Sequence, residues 1–193
     1  MIRTAIIDDV CRWELRRIWN DVPEPRLLVW LMLNPSTADA EKDDPTLLRI
    51  IKWGKAWGYD GVIVVNLYPF RSPSPLDLAA WHKAGGLTVE VFQRNMEITL
   101  AAMAECDWMV MAGWGGSLPK PEGVLPYIRM LNTIGLTKHG AWPVWRCLGV
   151  SQGGMPIHPM ARGKNRIPDD ATPMVYDFVK HLDPSYKEHA NAV

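Results

Sequence analysis

Two stretches of the chain are apolar without interruption and then stop on polar residues. Leu27 to Leu33 reads LLVWLML and breaks at Asn34-Pro35-Ser36-Thr37; Val62 to Val65 reads VIVV and breaks at Asn66. Apolar runs with no period-two alternation predict strands buried on both faces, as in a parallel sheet. Between them, Asp44 and Pro45 have the chemistry of a helix N-cap and first helical position. Leu47, Ile50, Ile51 and Trp57 recur on one face and Gly58 ends the pattern, which predicts a helix over about residues 45–57. Ile50, Trp53 and Trp57 share this spacing and are assigned to the core rather than to a stacking platform.

The rest of the chain continues the alternation. Arg71 to Gly86 is proline-rich and predicts a loop with one short helix at its centre. A helix follows over about residues 88–105, with Phe92, Met96 or Leu100, and Met103 facing inward. A third strand, Asp107 to Ala112, runs into Gly113-Trp114-Gly115-Gly116, and another helix is expected over about residues 123–134. The fourth strand, Val144 to Val150, empties into Gly153-Gly154-Met155-Pro156-Ile157-His158-Pro159. Residues 1–22 mix arginine with tryptophan and predict a short strand or hairpin, with Trp13 and Trp19 covering the sheet. After Pro168 comes a short amphipathic segment, then a polar end expected to fray after about residue 183. This order predicts a single α/β domain over residues 1–193. Its expected form is a three-layer α/β/α sandwich around a mostly parallel sheet of about four strands, joined by right-handed crossovers.

At 193 residues one domain suffices to bury a sizeable core. The 21 basic residues equal the 21 acidic ones, so any nucleic-acid contact must come from a local edge rather than from a basic molecule. Three cysteines without CxxC spacing, no signal-peptide pattern and no long apolar span point to a cytoplasmic protein without a membrane partner. Histidines and cysteines lack metal-ligand spacing, so neither a structural metal nor a cofactor is expected.

In open α/β sheets ligands bind outside the carboxyl ends of the strands. Four motifs fall there: Asn34-Pro35-Ser36-Thr37, Asn66-Leu67, Gly113-Trp114-Gly115 and His158-Pro159. Each alone has a plainer reading, Asn-Pro as a turn former above all. Their shared placement makes a site. The run at Gly113 lacks the lysine of a phosphate loop and is assigned to a tight turn lining the pocket. Gly149-Val150-Ser151-Gln152-Gly153 matches a nucleophile elbow, but Gly154, Pro156 and Pro159 follow in place of the required helix. Asp39, Asp43 and Asp44 admit two readings: a divalent-cation site, or a capping Asp44 with two neighbours complementing the helix dipole.

The run LMLNPSTADAEKDDPTLLRIIKWGKAWGYDGVIVVNLYPFRSPSP, with GVSQGGMPIHPM, resembles the DUF1643 family of bacterial and phage proteins over about Trp13 to Pro159. More distantly, the order of strand-end motifs is similar to the uracil-DNA glycosylase superfamily, and to its mismatch-specific and single-strand-selective branches in particular. There the first strand ends in a Gly-x-Asn-Pro or Gly-x-Asp-Pro motif; here Met32 stands at the glycine position before Asn34-Pro35. The likeness implies a uracil-DNA-glycosylase-like fold and DNA, modified or single-stranded, as partner. It implies Asn34 and His158 as catalytic residues, Asn34 orienting the attacking water and His158 stabilising the departing base. Asn66 would read the flipped base, with Pro35, Ser36, Thr37, Tyr68, Phe70 and Trp114 around it. Met160 would enter the duplex, and Arg162, Lys164 and Arg166 are the expected phosphate contacts. The leading expectation is therefore a DNA glycosylase acting on uracil or a modified pyrimidine. A non-cleaving base- or nucleotide-binding module, and a metal-dependent nucleotide hydrolase or transferase using the three aspartates, are the alternatives.

Overall fold

The computed structural model describes residues 1–116 and 121–182. Its strands are β1 (Ile2–Ile7), β2 (Arg12–Ile18), β3 (Leu27–Met32), β4 (Gly61–Asn66), β5 (Met109–Ala112), β6 (Val144–Cys147) and β7 (Met174–Val175). Its helices are α1 (Pro45–Ala56), α2 (Pro75–Lys83), α3 (Val89–Glu105), α4 (Pro121–His139) and α5 (Phe178–Leu182), with a 3₁₀ turn at Gly163–Asn165. None of the described helices is long and apolar enough to cross a membrane.

The strands form one mixed sheet in the order β1-β2-β4-β3-β5-β6-β7. The two apolar runs become β3 and β4, buried at every position and paired in parallel from Leu27–Gly61 to Met32–Asn66. β5 and β6 continue the parallel pairing on the other side of β3. The expected count of about four strands is corrected to seven. β1 and β2 form the hairpin expected over residues 1–22 and join the sheet antiparallel beside β4, and β7 pairs antiparallel with β6. Three of these strands are short, charged or exposed, and such segments carry no uninterrupted apolar signal.

Residues alternate between the two faces of the central strands. Val29, Leu31, Ile63 and Val65 pack with α3 and α4, through Met96, Leu100, Met103, Ile128 and Leu131. Leu28, Trp30, Val62 and Val64 pack with α1, through Leu47, Ile50 and Trp53. Trp30, Trp53 and Trp57 stack on one another with ring centroids 6.2 to 6.4 Å apart; Trp30 and Trp53 are buried in the core and Trp57 packs half-buried against it. α1 starts as its sequence dictates: the Asp44 carboxylate accepts from the Leu47 N–H at 2.8 Å, with Pro45 next. Gly58 (φ +77°) follows its end.

Three boundaries differ from expectation. β5 begins at Met109 rather than Asp107, because Asp107 and Trp108 take left-handed φ values of 50° and 60° as the chain leaves α3. β6 stops at Cys147; Val150 makes only an isolated bridge to Pro156. α4 extends to His139, beyond its expected end near residue 134. The polar end after about residue 183 lies outside the described residues.

The N-terminal hairpin does more than widen the sheet. Ile6 pairs with Glu14 and Ile7 with Arg12, leaving Trp13 as the extra residue of a β-bulge. Regular alternation would put Arg12 with Glu14 and Arg16, and Arg16 reaches Glu105 of α3. The bulge turns Arg12 instead to the α1 face, beside Leu15. Arg12 Nη1 donates to Ala38 O at 2.7 Å, and fully buried Arg17 pairs through Nε with Asp43 at 2.8 Å and donates to the Asp39 carbonyl. Both hold the loop between β3 and α1 from beneath.

Removing a buried ionic partner strands the remaining polar groups, whereas exposed ion pairs contribute little. Arg17→Met is expected to lower unfolding free energy by about 3–5 kcal/mol. Lys52→Met, at the exposed Lys52–Asp169 pair, should cost below about 1 kcal/mol. Chemical denaturation of both variants measures the contrast, and equal effects would remove Arg17 as the support of this loop.

Candidate functional site

β3 leads through α1, on one face of the sheet, to β4; β4 leads through α2 and α3, on the other face, to β5. β5 lies on the opposite side of β3 from β4, so the connections part between β3 and β5. Crevices of α/β sheets open at such a switch point. Here a cavity of about 650 Å³ lies at the carboxyl ends, with Asn34, Ser36, Trp114, Gly115, Ser151 and His158 in its wall. A smaller inner cavity of about 60 Å³ shares Met32, Asn34, Ser36, Thr46 and His158 with it and adds Arg12, Asp44 and Asn66. Leu15, Leu47, Ile50 and Val64 complete its apolar side.

Asn66 is the last residue of β4, on the same face as Val62 and Val64. Its backbone carbonyl accepts from Asn95 Nδ2 at 2.9 Å, which fastens this strand end to α3. The Asn66 side chain is 1 % exposed, yet neither Nδ2 nor Oδ1 has a hydrogen-bond partner. An unpaired buried polar group costs about 1–3 kcal/mol, so this amide stands out as polar capacity that the described residues themselves do not satisfy. Asn34 is engaged differently. Its Nδ2 donates to the carbonyls of Pro35, Phe70 and Ser72, at 3.1, 3.3 and 2.8 Å, clipping the ends of β3 and β4 together. With the amide nitrogen held this way, the side-chain oxygen is the end left to serve a ligand or water.

His158 lies in the wall of both cavities. Its Nδ1 accepts from the Met160 N–H at 3.0 Å, which places the proton of the neutral ring on Nε2. Burial pushes its pKa below the ordinary 6.5, against the opposing charge of Asp44, so the ring is neutral at pH 7. Gly115, at φ +76°, lets the β5 turn approach; a Cβ there would stand 3.1 Å from His158 Cβ. From the other side Arg49 of α1 donates to Pro159 O at 2.6 Å and to the Ile167 carbonyl, and its guanidinium lies over Trp53. The His158 loop is thereby fixed to both α1 and β5.

The other expected site residues divide. Ser36 and Trp114 line the outer cavity, and the buried Trp114 indole N–H has no partner. Met160, 38 % exposed, and Arg162 are at its mouth, while Lys164 and Arg166 are exposed on the same loop outside the lining. Pro35 is buried beneath, its carbonyl accepting from Ser72 N. Thr37 is exposed, with its carbonyl held by Arg71. Tyr68 and Phe70 are not brought to either cavity: Tyr68 meets His82 edge-on and Phe70 stacks on Trp81 at 5.0 Å. Ser151 Oγ accepts from Met155 N at 3.2 Å within a turn, with no helix following.

The three aspartates are separately engaged. Asp39 accepts from the Glu41 and Lys42 N–H groups and pairs with Arg71; Asp43 pairs with Arg3 and Arg17; Asp44 caps α1. Among the described residues no group of three or more His, Cys, Asp or Glu side chains converges as a metal site would require. Asp44 fulfils the capping reading and also faces the inner cavity. Arg12 is the residue that sequence reasoning missed. In strict alternation RWELRR puts it with Glu14 and Arg16, and no local residue type marks the bulge that turns it inward.

No curated protein and no solved structure matches this chain. A family model described as protein of unknown function (DUF1643) matches residues 12–160, a span that opens at Arg12 and closes two residues past His158. The chain belongs to the DUF1643 family.

Proposed function

We infer that the protein is a DNA glycosylase-like hydrolase that takes a flipped uracil or modified pyrimidine into the strand-end cavities and cleaves its N-glycosidic bond. The observation that carries this reading is the buried, unpaired Asn66 amide at the inner cavity. A primary amide offers donors and an acceptor in one plane, the complement of a pyrimidine edge. Asn34 and His158, the two residues that the glycosylase likeness assigns to catalysis, line the same cavity. The parallel order of the central strands is a further support for a uracil-DNA-glycosylase-like fold.

The chemistry needs two things of the protein. A water must be aimed at the anomeric carbon as the C–N bond breaks, and the electron pair that leaves with the base must be stabilised. Asn34 Oδ1 accepts from that water and orients it; the water oxygen joins the sugar, and its released proton ends on the base. Neutral His158 donates its Nε2–H toward a base carbonyl as negative charge develops there. The DNA runs across the mouth, where Met160 enters the stack and Arg162, Lys164 and Arg166 meet phosphates.

The test is incubation with single- and double-stranded oligonucleotides carrying uracil or modified pyrimidines, followed by alkaline cleavage at abasic sites. Strand scission at one of these bases is expected in wild type. Asn34→Ala should lower the single-turnover rate about a hundredfold or more, since a misplaced nucleophile costs that much. Retained binding without scission would make the protein a base-binding module instead. Equal rates in wild type and Asn34→Ala would remove the water-orienting role.

His158 should also report through stability. Its pKa is depressed in the folded protein, so between that value and 6.5 the unfolded chain binds more protons. Stability is therefore complete above pH 6.5 and falls as the pH drops below it. Urea denaturation should show this decline in wild type and a shallower one in His158→Gln. Identical slopes just below pH 6.5 would contradict the buried, neutral ring.

A further inference from the structure

Resting on the base-recognition reading above, we propose that Arg12 is a specificity-determining residue whose guanidinium supplies a third hydrogen-bonding point in the inner cavity, beside Asn66. The cavity would then take an imide edge, carbonyl–N–H–carbonyl, as in uracil and thymine, and reject the amino-bearing edge of cytosine. Arg12 is 3 % exposed, and its Nη1 is held by Ala38 O, but Nε is buried without a partner. The only other buried polar atoms without partners that belong to residues lining this cavity, among the described residues, are the two of the Asn66 amide. The unmet inventory is thus the NH2 donors and the carbonyl acceptor of Asn66 and one N–H donor of Arg12. With the Asn66 oxygen toward a ring N–H, its nitrogen toward one flanking carbonyl and Arg12 toward the other, the complement is acceptor, donor, acceptor. Uracil-type bases present two carbonyls flanking a ring N–H; cytosine presents an amino donor, a ring nitrogen acceptor and one carbonyl.

Charge supports the assignment. Burial lowers the Arg12 pKa to about 10, with Asp44 opposing the shift, so the guanidinium remains cationic at neutral pH. A charged donor bonds a carbonyl about twice as strongly as a neutral one. The β-bulge at Trp13 is what turns this cation to the cavity side of the sheet. Asn66 alone distinguishes one carbonyl and its neighbouring N–H; Arg12 extends the discrimination to the second carbonyl.

The experiment is isothermal titration of the full chain with free uracil, cytosine, 2-thiouracil and 4-thiouracil. Wild type should prefer uracil to cytosine, and both thio bases should bind more weakly than uracil, because sulfur is a poor acceptor and both carbonyls are read. Arg12→Gln should weaken uracil binding about ten- to a hundredfold, the range of a hydrogen bond to a charged group, and narrow its preference over cytosine. Arg12→Lys should fall between the two. Circular dichroism establishes that the variants fold, and the thio bases test the proposal in wild type should they not. Weakening by only one thio base, or undiminished uracil binding by folded Arg12→Gln, would overturn the role of Arg12 while leaving base recognition intact. A wild type that binds none of the four bases would overturn base recognition and this inference together.

Discussion

Two buried arginines hold up the loop on which the site depends. The segment from Asn34 to Asp44 leaves the end of β3 and must turn back to start α1, with carbonyls facing the protein interior. Arg12 satisfies Ala38, and Arg17 satisfies Asp39 while pairing with Asp43. Arg71 closes the outside, reaching Ser36, Thr37 and Asp39. A buried carbonyl without a donor is costly, so this loop keeps its shape only while the hairpin beneath it is in place. The N-terminal strands are therefore part of the site's foundation, although most of β1 is exposed.

On the opposite wall the supports come from different elements. Arg49 of α1 reaches over to Pro159 and Ile167, and Gly115 at the end of β5 leaves room for His158. α1 thus carries its capping aspartate to one side of the inner cavity and fixes the histidine loop on the other. Rigid placement keeps the acceptor nitrogen of the neutral ring facing the Met160 N–H. Burial of the ring and this backbone contact point to the same protonation state.

The interior of the site runs against the rule that buried polar groups find partners. Trp114 Nε1, Arg12 Nε and both side-chain atoms of Asn66 are buried and unpaired along the two cavities; among the described residues Trp30 Nε1 and Asn95 Oδ1 are also buried and unpaired, away from both, although Asn95 Nδ2 donates to the Tyr127 hydroxyl. Four of these six atoms belong to residues lining the two cavities, and departures of this kind gathered at a cavity are expected where a protein binds something.

What the chain determines locally is clear in its central strands and first helix. β3 and β4 could be read because a strand covered on both faces must be apolar throughout, and α1 because Asp44, Pro45 and the stripe from Leu47 to Trp57 agree. The strand-end residues Asn34, Asn66 and His158 could be singled out because a parallel sheet puts its loops on one edge, and the structure brings all three to one cavity. Short edge strands such as β7, and the left-handed turn at Asp107 and Trp108, leave no such pattern. Nor does sequence distinguish Tyr68 and Phe70 turned away from the cavities from aromatic residues turned toward them. Arg12 shows the limit most plainly. Its inward direction comes from one extra residue in a strand pairing, and a pairing register is settled between chain segments brought together only by folding.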